Sequence, residues 1–124
     1  MARILVVDDS SFARSRLKLL FEKAGHKVVG SAADGDQALS LFDQLQPDVV
    51  TLDYLMTGKN GMEVLKEIMT HNPEARVIMI SGLGNTAIEG EFLTAGARLF
   101  VEKLNDQDQY LKAIDQVMLG ACQT

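Results

Sequence analysis

The stretch from Asp48 to Asp53, Asp-Val-Val-Thr-Leu-Asp, constrains the fold most, because it is an almost wholly apolar run that ends in a carboxylate. Strands that are buried on both faces have this composition, and they belong to parallel sheets covered by helices. Such open sheets bind ligands at the carboxyl ends of their strands. The pattern therefore predicts that Asp53 stands at a ligand site. The residues from Met56 to Gly61 predict a loop before the next helix.

Strand-like and helix-like segments alternate along the whole chain. The segments between the strands carry apolar residues at the i, i+3, i+4, i+7 spacing of an amphipathic helix, and Gly25 and Pro47 stand where helices end. Gly90 lies inside the fourth helix and costs it about 1 kcal/mol relative to alanine. The predicted strands are 3–7, 27–33, 48–53, 76–80 and 98–102. Asp9 and Ser10 offer cap oxygens to the first predicted helix, the next two follow Asp34 and Asn60, and the last two run over about 85–95 and 106–119.

Five alternating units of this length predict an α/β fold of the doubly wound, flavodoxin-like (βα)5 type, with helices on both faces of a parallel sheet. The first, third and fourth strands are the most uniformly apolar and are expected to be central, whereas the second and fifth are mixed and suit the edges. The strand order 2-1-3-4-5 satisfies this. The 124 residues suit one core, so we expect a single domain over 1–124 with no output domain.

In the predicted order, the direction in which strands are added reverses between the first and third strands, and such sheets bind ligands in the crevice at this point, at the carboxyl ends of the strands. Polar side chains stand along this rim. Asp8, Asp9 and Asp53 end those two strands, and Ser81 and Lys103 end the fourth and fifth. Three carboxylates that lie close together repel one another, so either one of them binds a proton or a cation joins them. Mg2+ prefers such oxygen ligands. With the ammonium and hydroxyl groups, this set is suited to moving a phosphoryl group onto Asp53.

Composition narrows the class of protein. A net charge of −5 argues against direct binding of nucleic acid, and no apolar run is long enough to cross a membrane. The N-terminus lacks the apolar region of a signal peptide, and the single cysteine, Cys122, allows no internal disulfide. These features predict a cytoplasmic protein. His26 and His71 are isolated in the sequence and are expected to face solvent.

Short motifs occur in order along the chain, and most of them stand at predicted strand ends. They are Val6-Val7-Asp8-Asp9-Ser10, Asp53-x-x-Met56, Asn60-Gly61, Ser81-Gly82, Ala95-Gly96-Ala97 and Phe100-x-x-Lys103. Each motif is weak alone, but the ordered set covers essentially the whole chain and is highly specific. On this basis the sequence resembles the receiver domain of two-component response regulators, most closely the single-domain chemotaxis (CheY-like) type.

The resemblance implies a phosphorylation site. Asp53 would accept a phosphoryl group from the phosphohistidine of a sensor histidine kinase or a phosphotransfer protein. Mg2+ would be bound by Asp9, Asp53 and the backbone carbonyl of Leu55, with Asp8 acting through water. The protein would be no enzyme beyond catalysing its own phosphorylation and dephosphorylation.

The resemblance also implies a conformational switch. Lys103 would pair with the bound phosphate, Ser81 would move to hydrogen-bond it, and Phe100 would rotate inward into the vacated space. The surface of the fourth helix, fifth strand and fifth helix would then bind a downstream target protein. The protein itself would be a monomer or a weak phosphorylation-linked dimer.

Two residues depart from the pattern of that family. Thr57 stands where proline usually follows Met56, which predicts a freer loop. Leu104 stands where proline usually follows Lys103, and a cis peptide bond without proline costs about 2.5–4 kcal/mol. We therefore predict a trans peptide bond between Lys103 and Leu104 and a shifted loop after the fifth strand.

Two other functions fit parts of the sequence. A pseudo-receiver would bind partners without being phosphorylated; Thr57 and Leu104 keep this alternative open, although the aspartates and Lys103 favour phosphorylation. Residues 82–87, Gly-Leu-Gly-Asn-Thr-Ala, match the dinucleotide-binding pattern G-x-G-x-x-A, with Glu102 about twenty residues further on. A small dinucleotide-binding module is the other alternative, but this motif follows the fourth strand and lies away from the predicted crevice.

Overall fold

The computed structural model describes residues 1–54, 56, 60–82, 86–102 and 107–120. In this part of the chain five strands alternate with five helices, as the sequence pattern predicts. None of the helices described has both the length and the hydropathy needed to cross a membrane. The elements are β1 (Arg3–Val7), α1 (Ser11–Lys23), β2 (Lys27–Ala32), α2 (Gly35–Leu45), β3 (Val49–Asp53), α3 (Gly61–His71), β4 (Val77–Ser81), α4 (Thr86–Thr94), β5 (Leu99–Glu102) and α5 (Gln107–Gly120).

The five strands form one sheet in the order β2-β1-β3-β4-β5, which confirms the predicted order. All neighbouring pairs run parallel, so the carboxyl ends of the strands meet along one edge. Val7 of β1 lies opposite Leu52 of β3, and Asp53 lies opposite Ile80 of β4. The strand ends that carry Asp8 and Asp53 are therefore adjacent, at the point where the sheet direction reverses.

Helices cover both faces of the sheet, so alternate strand residues enter two hydrophobic cores. Leu52 of β3 faces the core that includes Phe42 of α2 and Phe92 of α4. Ile4 of β1 faces the other core, which includes Phe21 of α1 and the inner side of α5. All residues of β3 are buried, which confirms the prediction of a strand covered on both faces.

Polar caps begin three of the helices where the sequence predicts them. The side chains of Ser10, Asp34 and Asn60 each accept a hydrogen bond from the backbone N–H three residues further on, at distances of 2.9–3.2 Å. Such a cap is worth about 1 kcal/mol, so the caps determine where α1, α2 and α3 start. Gly25 follows α1 with φ of +93°, a conformation that favours glycine at a helix end.

The expectation that His26 faces solvent is wrong. Its side chain is 12% exposed, and its Nδ1 accepts a hydrogen bond from the backbone N–H of Ala2 at 3.0 Å. Its Nε2 lies 3.9 Å from a carboxylate oxygen of Asp115 on α5. These partners are remote in sequence, so the residues around His26 do not predict its burial. His71 is half exposed, as expected, with Nδ1 3.5 Å from a carboxylate oxygen of Asp43.

A buried hydroxyl in β3 leads to a stability prediction. Thr51 is 1% exposed between Val6 and Ile78, and its hydroxyl has no hydrogen-bond partner among the described residues. Burying such a group without a partner costs about 1–3 kcal/mol. We expect Thr51→Val to raise the free energy of unfolding by about 1 kcal/mol, because valine keeps the shape and removes the unpaired group.

Urea unfolding of the two proteins measures this difference. Thr70→Val is the matched control, because the Thr70 hydroxyl donates a hydrogen bond to the Lys66 carbonyl at 2.9 Å and stands on an exposed position of α3. The control is expected to leave the free energy of unfolding unchanged or slightly lower. A loss of stability in Thr51→Val would contradict the prediction.

Candidate functional site

Three carboxylates meet at the carboxyl edge of the sheet. Asp8 and Asp9 follow β1, and Asp53 is the last residue of β3. Each offers an oxygen atom, and these atoms lie within 4.8 Å of one another. Asp8 and Asp53 are each 2% exposed, whereas Asp9 is exposed to solvent. The structure therefore brings together the three aspartates that the predicted strand order places on one rim.

The backbone around Asp8 is held from three sides. Its N–H donates a hydrogen bond to the carbonyl of Ala32 at the end of β2, at 3.1 Å. Its carboxylate accepts one from the N–H of Ser10 at 2.9 Å. Its carbonyl accepts one from the guanidinium of Arg14 on α1 at 2.7 Å. Sequence reasoning missed Arg14, although a cation near the start of α1 is a signal that could have pointed to it.

The start of α3 packs directly on the backbone that carries Asp53. The N–H of Tyr54 donates to the carbonyl of Ile80 at 2.9 Å, and the N–H of Gly61 donates to the carbonyl of Tyr54 at 2.8 Å. A Cβ atom on Gly61 would lie 2.5 Å from the Asp53 carbonyl oxygen and 2.7 Å from the Tyr54 Cα. Only glycine therefore fits here without movement of the backbone next to Asp53.

The two residues predicted to form the switch share one face of the sheet. Ser81 ends β4 and is 1% exposed. Phe100 of β5 is half-buried and lies opposite Met79, two residues before Ser81. Because side chains alternate along a strand, Ser81 and Phe100 point to the same side of the sheet.

Three aromatic rings in contact connect Tyr54, the residue after Asp53, to Phe100. The ring of Tyr54 meets that of Phe92 edge to face, with centroids 5.1 Å apart. Phe92 is fully buried on α4 and stacks on Phe100, with centroids 5.7 Å apart. No local pattern in the sequence of α4 reveals that the ring of Phe92 stands between the other two.

Several predictions from the sequence fall on residues outside the described ranges. They concern the Leu55 carbonyl, Lys103 as the phosphate partner, the loop at Thr57 and the peptide bond before Leu104. The centre of the dinucleotide-like motif, residues 83–85, also lies outside these ranges. These points stay predictions.

A doubly wound α/β fold with an acidic cluster at its switch point is the arrangement that a receiver-type signalling domain requires. The family model of the response regulator receiver domain matches residues 4–115, and the chain belongs to this family. The resemblance predicted from the ordered motifs is thus confirmed. The match runs across residues 82–87 and Glu102, so the dinucleotide-like motif lies within the receiver domain.

Curated relatives and solved structures resemble the chain over nearly its whole length. The chain is 38% identical over 115 residues to the chemotaxis protein CheY of Thermotoga maritima, which covers 93% of this chain and 96% of that protein. It is 40% identical over 118 residues to the protein CcdB of Bacillus subtilis, with 95% and 98% covered. A chain in the crystal structure of the CheX–CheY–BeF3–Mg2+ complex of Borrelia burgdorferi has a TM-score of 0.90 and 35% identity, with 94% of this chain and 88% of that chain covered.

Proposed function

We propose that Asp53 accepts a phosphoryl group from the phosphohistidine of a sensor histidine kinase or a phosphotransfer protein. The observation that carries this proposal is the meeting of three carboxylate oxygens within 4.8 Å at the switch point of the sheet. Asp53 is buried on a strand that is covered on both faces, so its position is set by the sheet. Membership of the receiver family supports the same role.

The acidic cluster fits a magnesium ion. Its oxygen donors are the hard ligands that Mg2+ prefers, and a cluster of three carboxylates favours a divalent cation electrostatically. Asp9, Asp53 and the backbone carbonyl of Leu55 would hold the ion, and Asp8 would act through a water molecule. When bound, Mg2+ would offset the negative charge of the phosphoryl oxygens.

The transfer step is a substitution at phosphorus. A carboxylate oxygen of Asp53 supplies the electron pair for the new P–O bond, while the P–N bond to the donor imidazole breaks and its electron pair returns to nitrogen. Lys103 and Ser81 would stabilise the charge on the phosphoryl oxygens, Lys103 through its ammonium group and Ser81 through its hydroxyl. Because Ser81 ends the strand beside β3, its hydroxyl lies near the same edge as Asp53.

The phosphorylated form is proposed to alter the surface of α4, β5 and α5. Ser81 and Phe100 lie on the same face of the sheet, so a movement of Ser81 toward a phosphoryl group opens space on the side of Phe100. Phe100 is half-buried and can therefore report this change to a partner protein. This chain is similar to a chain in the crystal structure of a CheX–CheY complex, and that complex supports the proposal of a protein partner.

Incubation with acetyl phosphate and Mg2+, followed by intact mass spectrometry, tests the proposal. We expect one phosphoryl addition that requires Mg2+ and is lost when the ion is chelated. Magnesium binding is measured in parallel by calorimetry. If neither phosphorylation nor magnesium binding is seen, the protein is a pseudo-receiver and the proposed function is wrong.

A further inference from the structure

Arg14 stands where the electrostatics of a helix disfavour a cation. It is the fourth residue of α1, close to the positive end of the helix dipole. Helix α1 has no acidic residue in its first turn, whereas the other four helices described each have one. Instead of an acidic residue in the first turn of α1, the carboxylates of Asp8 and Asp9 stand just before the helix. A residue that breaks a local rule in this way calls for a compensating contact.

Arg14 makes such a contact with the peptide group that joins Asp8 and Asp9 of the acidic cluster. The Arg14 Nη1 donates a hydrogen bond to the carbonyl oxygen of Asp8 at 2.7 Å, a length typical of a charge-assisted hydrogen bond. The carbonyl belongs to the Asp8–Asp9 peptide, so its orientation helps to set where both carboxylates point. The hydrogen bonds from Asp8 to Ala32 and from Ser10 to Asp8 restrain the same segment from other sides.

We infer that Arg14 is a positioning residue of the divalent-cation site, which holds the Asp8–Asp9 peptide so that both carboxylates face Asp53. This inference rests on the proposed function, because it takes the acidic cluster as the magnesium site. Arg14 acts through the Asp8 carbonyl and does not itself ligate the ion.

Two effects of Arg14 on magnesium binding have opposite signs, and their sizes decide the outcome. Its positive charge repels a cation, so loss of the charge alone would tighten binding by about twofold at physiological salt for a separation on the order of 10 Å. Loss of a group that orients metal ligands typically weakens binding by about 10- to 100-fold. The positioning effect is therefore expected to dominate.

A pair of variants separates the two effects. Arg14→Met and Arg16→Met each remove one positive charge from α1, but Arg16 is exposed and its guanidinium lies 5.6 Å from the centroid of the Phe12 ring. Titration of each unphosphorylated protein with Mg2+ by calorimetry gives its Kd. We expect Arg14→Met to weaken binding by about tenfold, and Arg16→Met to change it by at most about twofold, toward tighter binding. At high salt only the Arg14→Met effect should persist.

The Ser10 amide provides a readout of position that needs no metal. Its N–H donates to the Asp8 carboxylate at 2.9 Å, so its hydrogen exchange, followed by NMR, reports how firmly the segment is held. Exchange is expected to be faster in Arg14→Met than in the wild type and unchanged in Arg16→Met. If Arg14→Met does not fold, Arg14→Lys replaces it; this variant keeps the charge, and we expect it to weaken magnesium binding by about threefold because it loses the guanidinium geometry.

The possible outcomes separate the inference from the function on which it rests. If the wild type binds Mg2+ and both methionine variants have the same Kd, Arg14 has no positioning role and the inference is overturned. If the wild type itself does not bind Mg2+, the proposed metal site is wrong, and the inference is overturned with it. A tenfold weakening confined to Arg14→Met, with faster exchange at Ser10, supports the inference.

Discussion

Replacement of Asp53 with asparagine is expected to abolish phosphoryl addition and, in magnesium-free buffer, to make the folded protein more stable. Phosphorylation is lost because an amide oxygen is a poor nucleophile compared with a carboxylate. Stability rises because three carboxylate oxygens lie within 4.8 Å of one another, and two unit charges at that distance repel by about 1 kcal/mol even in water. We expect Asp53→Asn to raise the free energy of unfolding by about 1 kcal/mol, a gain often seen when a functional residue is removed.

Intact mass spectrometry after acetyl phosphate treatment measures the first effect, and urea unfolding with and without Mg2+ measures the second. Magnesium should stabilise the wild type, because a ligand that binds only the folded state adds to its stability, and should stabilise Asp53→Asn much less. Asp115→Asn is the matched control. It removes the same charge from an exposed position beside His26 and should leave both phosphorylation and the magnesium effect unchanged. Phosphoryl addition that persists in Asp53→Asn would place the acceptor elsewhere.

Gly61→Ala is expected to lower the free energy of unfolding by about 1–3 kcal/mol and to slow phosphorylation. The added Cβ would stand 2.5 Å from the Asp53 carbonyl oxygen and 2.7 Å from the Tyr54 Cα, and both are backbone atoms that cannot rotate away. Either α3 or the end of β3 must shift, and overpacking of this kind typically costs about 1–3 kcal/mol. A shift of β3 would displace Asp53 from Asp8 and Asp9.

Gly90→Ala is the control, because it makes the same glycine-to-alanine change but is expected to change the free energy of unfolding in the opposite direction. Gly90 lies inside α4, and a Cβ there would meet nothing within 4 Å. Alanine should therefore raise the free energy of unfolding by about 0.5–1 kcal/mol through its higher helix propensity. Urea unfolding of both variants gives the comparison, and the rate of acetyl phosphate labelling shows whether Asp53 has moved. Equal stability changes in the two variants would refute the steric account of Gly61.

The sequence predicts much of this fold because the signals involved are local. A continuous apolar run indicates a strand buried on both faces, and β3 is one. The polarity of each strand indicates whether it is central or at an edge, and the order 2-1-3-4-5, which satisfies this pattern, is the one observed. The aspartates that meet at the rim could be predicted for a related reason. The carboxyl ends of parallel strands share an edge, so the order alone brings Asp8 and Asp9 next to Asp53.

Contacts between residues that are remote in sequence were decided only by the tertiary structure. No local pattern shows that His26 accepts a hydrogen bond from Ala2, or that Phe92 stands between Tyr54 and Phe100. The motif Asn60-Gly61 indicates a helix start, but the close approach of Gly61 to the Asp53 backbone depends on how α3 packs against β3. Periodicity and composition determine which face of an element is buried. Which remote atom then meets that face depends on the packing of whole helices on the sheet, and this packing is set by many contacts at once.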